Sequence, residues 1–185
     1  GLMCYSAAEA EFLTSADGVG TLANDILIAY PCFYKSELDA LKRLHQNSNL
    51  KLRVVVDCLA HLEALSELVP SSERPIEVVF DIDASLNYFS GLIHIGVRRS
   101  GLRTPEQVNT LLDEIAAKKL NIKVVGLMAY EAQTAGLQDK NPFKKFMNPI
   151  FNFVRRISKK NSARLRSQTC DVFKNRKLDI EIVNG

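Results

Sequence analysis

Five apolar runs punctuate the chain, and each ends in a polar or aromatic residue: 26–30 (ILIAY), 52–57 (LRVVVD), 76–83 (IEVVFDID), 124–131 (VVGLMAYE) and 180–184 (IEIVN). Between them the apolar positions switch to helical spacing. Strands this apolar are buried on both faces, which means a parallel sheet covered by helices. Ligands of such sheets bind beyond the carboxyl ends of the strands. The polar terminal residues therefore stand where a site forms.

The pattern predicts strands at 2–5, 25–30, 51–57, 75–83, 122–131 and 178–184, with helices ending near 16, 46, 68, 120 and 176. Ser6 and Glu9 read as a capping box. Thr104 followed by Pro105 opens a helix cleanly. Two connections, 84–102 and 132–148, are long and irregular, and loops of that length are often functional. Six strands alternating with five helices imply right-handed βαβ units. An open doubly wound sheet fits, and so does most of a (β/α)8 barrel. A full barrel takes about 250 residues, so 185 residues would supply six of its eight strands.

Composition narrows the class only slightly. With 46% hydrophobic and 24% charged residues, the chain is an ordinary globular domain. No apolar run reaches the roughly 18–20 residues of a membrane span. The opening residues lack the basic start and apolar core of a secretory leader. Cys4, Cys32, Cys58 and Cys170 are widely spaced without a C-x-x-C, which favours buried reduced thiols and a cytoplasmic location. A thiolate metal site among Cys4, Cys32 and Cys58 is the competing reading, and no metal site is assigned. Net charge is +3, but 143–177 holds eleven Lys or Arg against Asp171 alone. That stretch is a nucleic-acid surface or, more commonly, the solvated face of a long helix.

No G-x-G-x-x-G, Walker loop, H-E-x-x-H or G-x-S-x-G occurs, which argues against dinucleotide, P-loop, zincin and α/β-hydrolase readings. His45 and His61 fall in helices and read as packing or surface residues; His94 lies in the irregular 84–102 segment. Asp81 and Asp83 flank Ile82 and, in an extended chain, point the same way. They suit a metal or acid–base pair, or equally helix capping and pairing with Arg98, Arg99 or Arg103. Arg99, two residues before Gly101, offers a planar fork for a carboxylate or phenolate.

Taken in order, the stretches 7–11 (AAEAE), 25–31 (DILIAYP), 55–57 (VVD), 96–101 (GVRRSG), 126–131 (GLMAYE) and 181–185 (EIVNG) resemble the alanine racemase N-terminal-like barrel of fold-type III pyridoxal-phosphate enzymes. Within it the resemblance is to the D-threonine aldolase and D-serine dehydratase branch. The resemblance implies an incomplete (β/α)8 barrel of about six parallel strands and five helices, a single partial domain over 1–185. It implies an amino-acid aldolase, dehydratase or racemase acting on a small D-amino acid. It implies that pyridoxal 5′-phosphate lies at the barrel mouth, with Arg99, Tyr130, Gln133, Asn184 and Gly185 toward the cofactor and Tyr30, Asp57 and Asp83 toward the substrate.

Departures shape the same expectation. Relatives often carry His where this chain has Gln133, and the 84–95 segment is longer than the family's short glycine turn. Relatives bind the cofactor as a Schiff base to a lysine on the first strand. Here Lys51 and Lys123 stand at strand starts and Lys35 at a helix start, so no catalytic lysine is assigned. The first barrel strand and the C-terminal β-domain, which brings divalent-metal ligands in relatives, are expected to be absent. The isolated chain is then expected to be inactive, and its open edges to favour a homodimer or a partner segment. A non-catalytic holder of pyridoxal phosphate or another phosphorylated ligand is the alternative. A nucleic-acid-associated protein using 144–177 is a further one; no membrane partner is expected.

Overall fold

β-branched and aliphatic runs without interior Pro build the strands, and Pro, Gly or polar clusters stop them. The computed structural model describes residues 1–15, 24–31, 33–88, 93–130 and 148–184. Their elements are β1 (Leu2–Cys4), α1 (Ala7–Thr14), β2 (Asp25–Ile28), α2 (Lys35–Gln46), β3 (Lys51–Val56), α3 (Leu59–Ser66), β4 (Ile76–Asp81), β5 (Leu86–Tyr88), β6 (Ile93–Ile95), α4 (Pro105–Ala117), β7 (Ile122–Met128), α5 (Asn148–Asn175) and β8 (Ile182–Asn184).

Six strands form one sheet in the order β1-β2-β3-β4-β7-β8, parallel at every junction. Spatial order follows chain order without reversal, whereas a doubly wound sheet reverses at its switch point. The architecture is thus an incomplete (β/α)8 barrel.

Alternation along the strands divides the core in two. Outward residues such as Ile28, Val54, Val78 and Phe80 pack with Leu41, Leu62, Val108 and Phe173 of the helices. Inward residues Leu27, Ala29, Val55, Val79, Val125 and Met128 form a separate interior cluster. The Phe80 and Phe173 rings meet at 6.1 Å and fix α5 against the sheet. Helix α5 buries Ser158, Ser162, Leu165, Thr169 and Phe173 and leaves Arg156, Lys159, Lys160 and Arg164 exposed. No helix among the described residues is long and apolar enough to cross a membrane.

Charge closes the amino-terminal end of the interior. Arg53, 4% exposed, pairs with Asp25 at 2.5 Å and Glu181 at 2.7 Å and faces Glu77 at 3.5 Å. Lys123 bridges Glu77 at 3.0 Å and Glu181 at 3.5 Å, and Lys51 also pairs with Glu181. The Lys51 hydrogen bond, with help from Arg53, pulls Glu181 down to about 2.

Two sequence expectations need correction. Strict alternation fails within 84–102, where β5 and β6 pair antiparallel as a separate hairpin, Leu86 opposite Ile95. Each strand has three residues, too short to show a period. Strand ends were also overrun: β2 stops at Ile28, β4 at Asp81, β7 at Met128, and β8 begins at Ile182.

Candidate active site at the carboxyl ends of the strands

Past the end of β4 the chain runs through the hairpin and returns over the sheet. Gly96, with φ 116°, makes the turn out of β6, a conformation L side chains rarely adopt. Ser100 then donates its hydroxyl to the Asp81 carbonyl at 2.7 Å and accepts from the Leu102 N–H at 2.9 Å. Asp83 N–H donates to the Leu102 carbonyl at 2.8 Å. These bonds clamp the segment down and aim Arg99 across the barrel mouth.

Arg99 is held on three sides. Nε donates to Asp81 Oδ2 at 2.8 Å, Nη2 to the Ala29 carbonyl at 2.8 Å, and Nη1 to the Tyr30 hydroxyl at 3.3 Å. Its guanidinium carbon lies 4.6 Å from the Tyr30 ring centroid and 5.6 Å from that of Tyr130, at cation–π range. Tyr5 stacks on Tyr30 with ring centroids 5.5 Å apart. A guanidinium carries five N–H groups; three are engaged, and among the described residues each terminal nitrogen has one more without a partner. Burial raises the Asp81 carboxyl to about 6, against the pull of Arg99. Burial also opposes the charge on Arg99, but Asp81 and Tyr30 together outweigh it and raise the guanidinium.

The mouth is a cleft of about 490 Å³ walled by Met3, Cys4, Tyr5, Ala29, Tyr30, Arg99, Met128, Tyr130 and Asn184. A hollow of similar size lies at the amino-terminal end, but its Asp25, Lys51, Glu77 and Lys123 are engaged in the interior ion pairs. The carboxyl-end cleft instead joins an apolar floor to a cation with N–H groups to spare, the usual make-up of a small-molecule site.

Of the residues picked from sequence, Tyr30, Arg99, Tyr130 and Asn184 share this cleft. Gln133 and Gly185 lie outside the described residues. Asp57 and Asp83 do not wall it, contrary to the expected convergence. Asp57 follows the end of β3 and turns toward α3, where Oδ1 lies 2.9 Å from His61 Nδ1. Asp83 follows the end of β4, where alternation no longer governs direction. It pairs with Arg103 at 3.0 Å, while Asp81 takes Arg99. Asp83 belongs to a different hollow, between the start of α4 and α5.

Met3, Tyr5 and Met128 are cleft residues the sequence reading missed. For Met3 a signal existed: it sits within β1 opposite Leu27 of β2 and shares its inward direction. His45 is buried and its Nε2 meets the Arg74 carbonyl at 3.1 Å, a packing role. His94 Nε2 meets the Gly96 carbonyl at 3.1 Å.

The family model for the alanine racemase N-terminal domain matches residues 1–170. This chain belongs to that family. The family is pyridoxal-phosphate-dependent and of fold type III. No curated protein matches the sequence. Among solved structures, D-threonine aldolase from Filomicrobium marinum superposes with a TM-score of 0.70 at 20% identity, over 99% of this chain and 41% of its own. Alanine racemase from Clostridium difficile 630 gives 0.53 at 16%, over 98% and 37%. The same racemase in complex with cycloserine gives 0.54 at 15%, over 97% and 38%. At these identities the likeness concerns the fold. The chain spans about two fifths of the length of these structures.

Proposed function

We propose that the cleft receives the ring of pyridoxal 5′-phosphate, as part of an enzyme that cleaves, dehydrates or racemises a small D-amino acid. One observation carries this reading: Arg99, fixed between Tyr30 and Tyr130, keeps one N–H on each terminal nitrogen without a partner among the described residues, over a cleft shared with Asn184. The residues present fit the cofactor. Two tyrosine rings and the Met128 and Ala29 floor give a planar aromatic body apolar walls, and a guanidinium suits a phenolate or carboxylate. D-threonine aldolase and alanine racemase as structural neighbours support the amino-acid substrate class.

Pyridoxal phosphate, once bound, supplies an electron sink for chemistry at the α-carbon of an amino acid. The chain's own part is aim and electrostatics. Asp81 and the Ala29 carbonyl orient Arg99, so its remaining N–H groups meet an anionic oxygen with little reorganisation. Tyr30 and Tyr130 confine the guanidinium. Asn184 adds a neutral amide at the end of β8. Among the described residues no lysine walls the cleft, so the covalent attachment of the cofactor is assigned to none of them. That feature favours a second reading, in which this polypeptide holds the cofactor without turning it over.

The chain has five tyrosines and no tryptophan, so tyrosine emission reports on the cleft. Titration with pyridoxine 5′-phosphate, which lacks the reactive aldehyde, should quench that emission saturably at one site, at least about tenfold more tightly than unphosphorylated pyridoxine. Equal or non-saturable quenching by both would remove the cofactor reading. Incubation with pyridoxal phosphate and borohydride should leave no stoichiometric adduct on one lysine. A clean single-site adduct would show that this chain carries the covalent anchor.

A further inference from the structure

We propose that Asp57, Cys58 and His61 form a binding site for a borderline-soft divalent cation of the zinc class. Their donor atoms, a carboxylate oxygen, a thiol sulfur and an imidazole nitrogen, lie within 4.8 Å of one another. Bonds of 2.0–2.3 Å in a tetrahedral shell place donors about 3.3–3.8 Å apart. Side-chain rotation of about 1 Å therefore closes the three around an ion, leaving a fourth position for water or an outside ligand.

Backbone structure brings them together. Asp57 follows β3, Cys58 is the N-cap of α3, and His61 lies one turn into that helix, four residues from Asp57. Two of the three donors are held by neighbours outside the cluster. The Phe33 ring lies flat on His61, with centroids 4.0 Å apart and planes 6° from parallel. The Gly101 N–H approaches Asp57 Oδ2 at 3.4 Å, which leaves Oδ1 facing His61. Supports of this kind behind ligand side chains fix their direction.

Electrostatics also fits. The His61 hydrogen bond, the leading cause, and Gly101 and Cys58 hold Asp57 below the usual carboxylate range despite burial, so it is ionised at neutral pH. In the metal-bound site a carboxylate and a thiolate would balance the dication, with the imidazole as third donor. Binding releases the Cys58 thiol proton, so affinity falls with pH. Asp57 and His61 side chains are 19% and 24% exposed, sheltered yet reachable.

None of the three walls the Arg99 cleft, so the site is independent of the cofactor reading. Its mixed donor set also differs from the thiolate site among Cys4, Cys32 and Cys58 weighed from sequence. An ion here would tie α3, through Asp57 and Gly101, to the segment that carries Arg99.

Cobalt(II) titration of the 185-residue chain tests the proposal. One equivalent should produce a near-ultraviolet sulfur-to-cobalt charge-transfer band that zinc abolishes. Cys58→Ser should remove the band, and His61→Ala should weaken binding by at least about tenfold, while Cys170→Ser changes neither. X-ray absorption of the unmodified zinc-loaded chain needs no variant to fold and should show one sulfur at about 2.3 Å. Lack of a band, a band that survives in Cys58→Ser, or a zinc shell without sulfur would each overturn the assignment.

Discussion

Arg99 donates through Nε to Oδ2 of Asp81 at 2.8 Å, while Asp81 Oδ1 is buried and unpartnered among the described residues. The pair is therefore incompletely compensated. Half of a buried carboxylate has a charge-assisted partner and half has none, which is costly in a low-dielectric interior. Burial wins over the arginine and raises Asp81 to about 6.

That shift has a sign that thermal unfolding can read. An acid with a raised folded pKa binds its proton more tightly in the native state. Its contribution is fully present below the unfolded value near 3.8 and is lost as pH rises through about 6. Asp81→Asn removes this titration. The stability of the wild type relative to Asp81→Asn should therefore fall by about 3 kcal/mol between pH 3.8 and 7. A pH-independent difference would show that Asp81 titrates normally.

Arg53 sets the opposite end of the barrel. Replacing it with Met takes from Asp25 its ion-pair partner among the described residues and leaves Glu77 and Glu181 to Lys51 and Lys123 alone. Loss of one partner from a buried ionic cluster costs about 3–5 kcal/mol, and urea denaturation should show a fall of that size. A loss below about 1 kcal/mol would mean the network is solvated and does not seal the interior.

Glu181 in the same network predicts the opposite pH trend. Its folded pKa is depressed to about 2, so its stabilisation is present above the ordinary value of 4.5 and is lost as pH falls toward 2. The melting temperatures of wild type and Glu181→Gln should differ most near neutrality and converge under acid. Divergence on acidification would contradict the Lys51 and Arg53 contacts.

Gly126 fixes the seat of β8. A Cβ there would collide with the Ile182 carbonyl oxygen and lie 2.9 Å from Ile182 Cβ. The β4–β7 register also shifts here, so that Val78 faces Val124 and Val79 faces Gly126. Gly126→Ala should cost about 1–3 kcal/mol and move Asn184 from the cleft. Unchanged stability with intact ligand quenching would show that β8 yields easily.

How much of this was legible in the sequence depends on how far each residue stands from a regular strand. Val54-Val55-Val56 and Val78-Val79-Phe80 are buried on both faces, and that burial writes itself as an unbroken apolar run. The Ser6 and Thr104 caps were legible because their bonds are local: Glu9 N–H reaches Ser6 Oγ at 3.1 Å and Gln107 N–H reaches Thr104 Oγ1 at 3.3 Å. Asp57 and Asp83 went astray because β3 ends at Val56 and β4 at Asp81, beyond which the two-residue period carries no directional information. The role of Arg53 was hidden because its partners Asp25 and Glu181 are 28 and 128 residues away. The hairpin β5–β6 was hidden because its pairing is made between strands too short to show alternation.

The claim on which the rest depends is that Arg99 receives the anionic cofactor in the mouth of the barrel. Pyridoxine 5′-phosphate titrated into wild type and Arg99→Ala, both confirmed folded by circular dichroism, tests it most directly. Hydrogen bonds to a charged partner contribute about 1.5–3 kcal/mol, so the variant should bind about 10–100-fold more weakly. Equal affinity in the two proteins would place the ligand elsewhere and contradict the account.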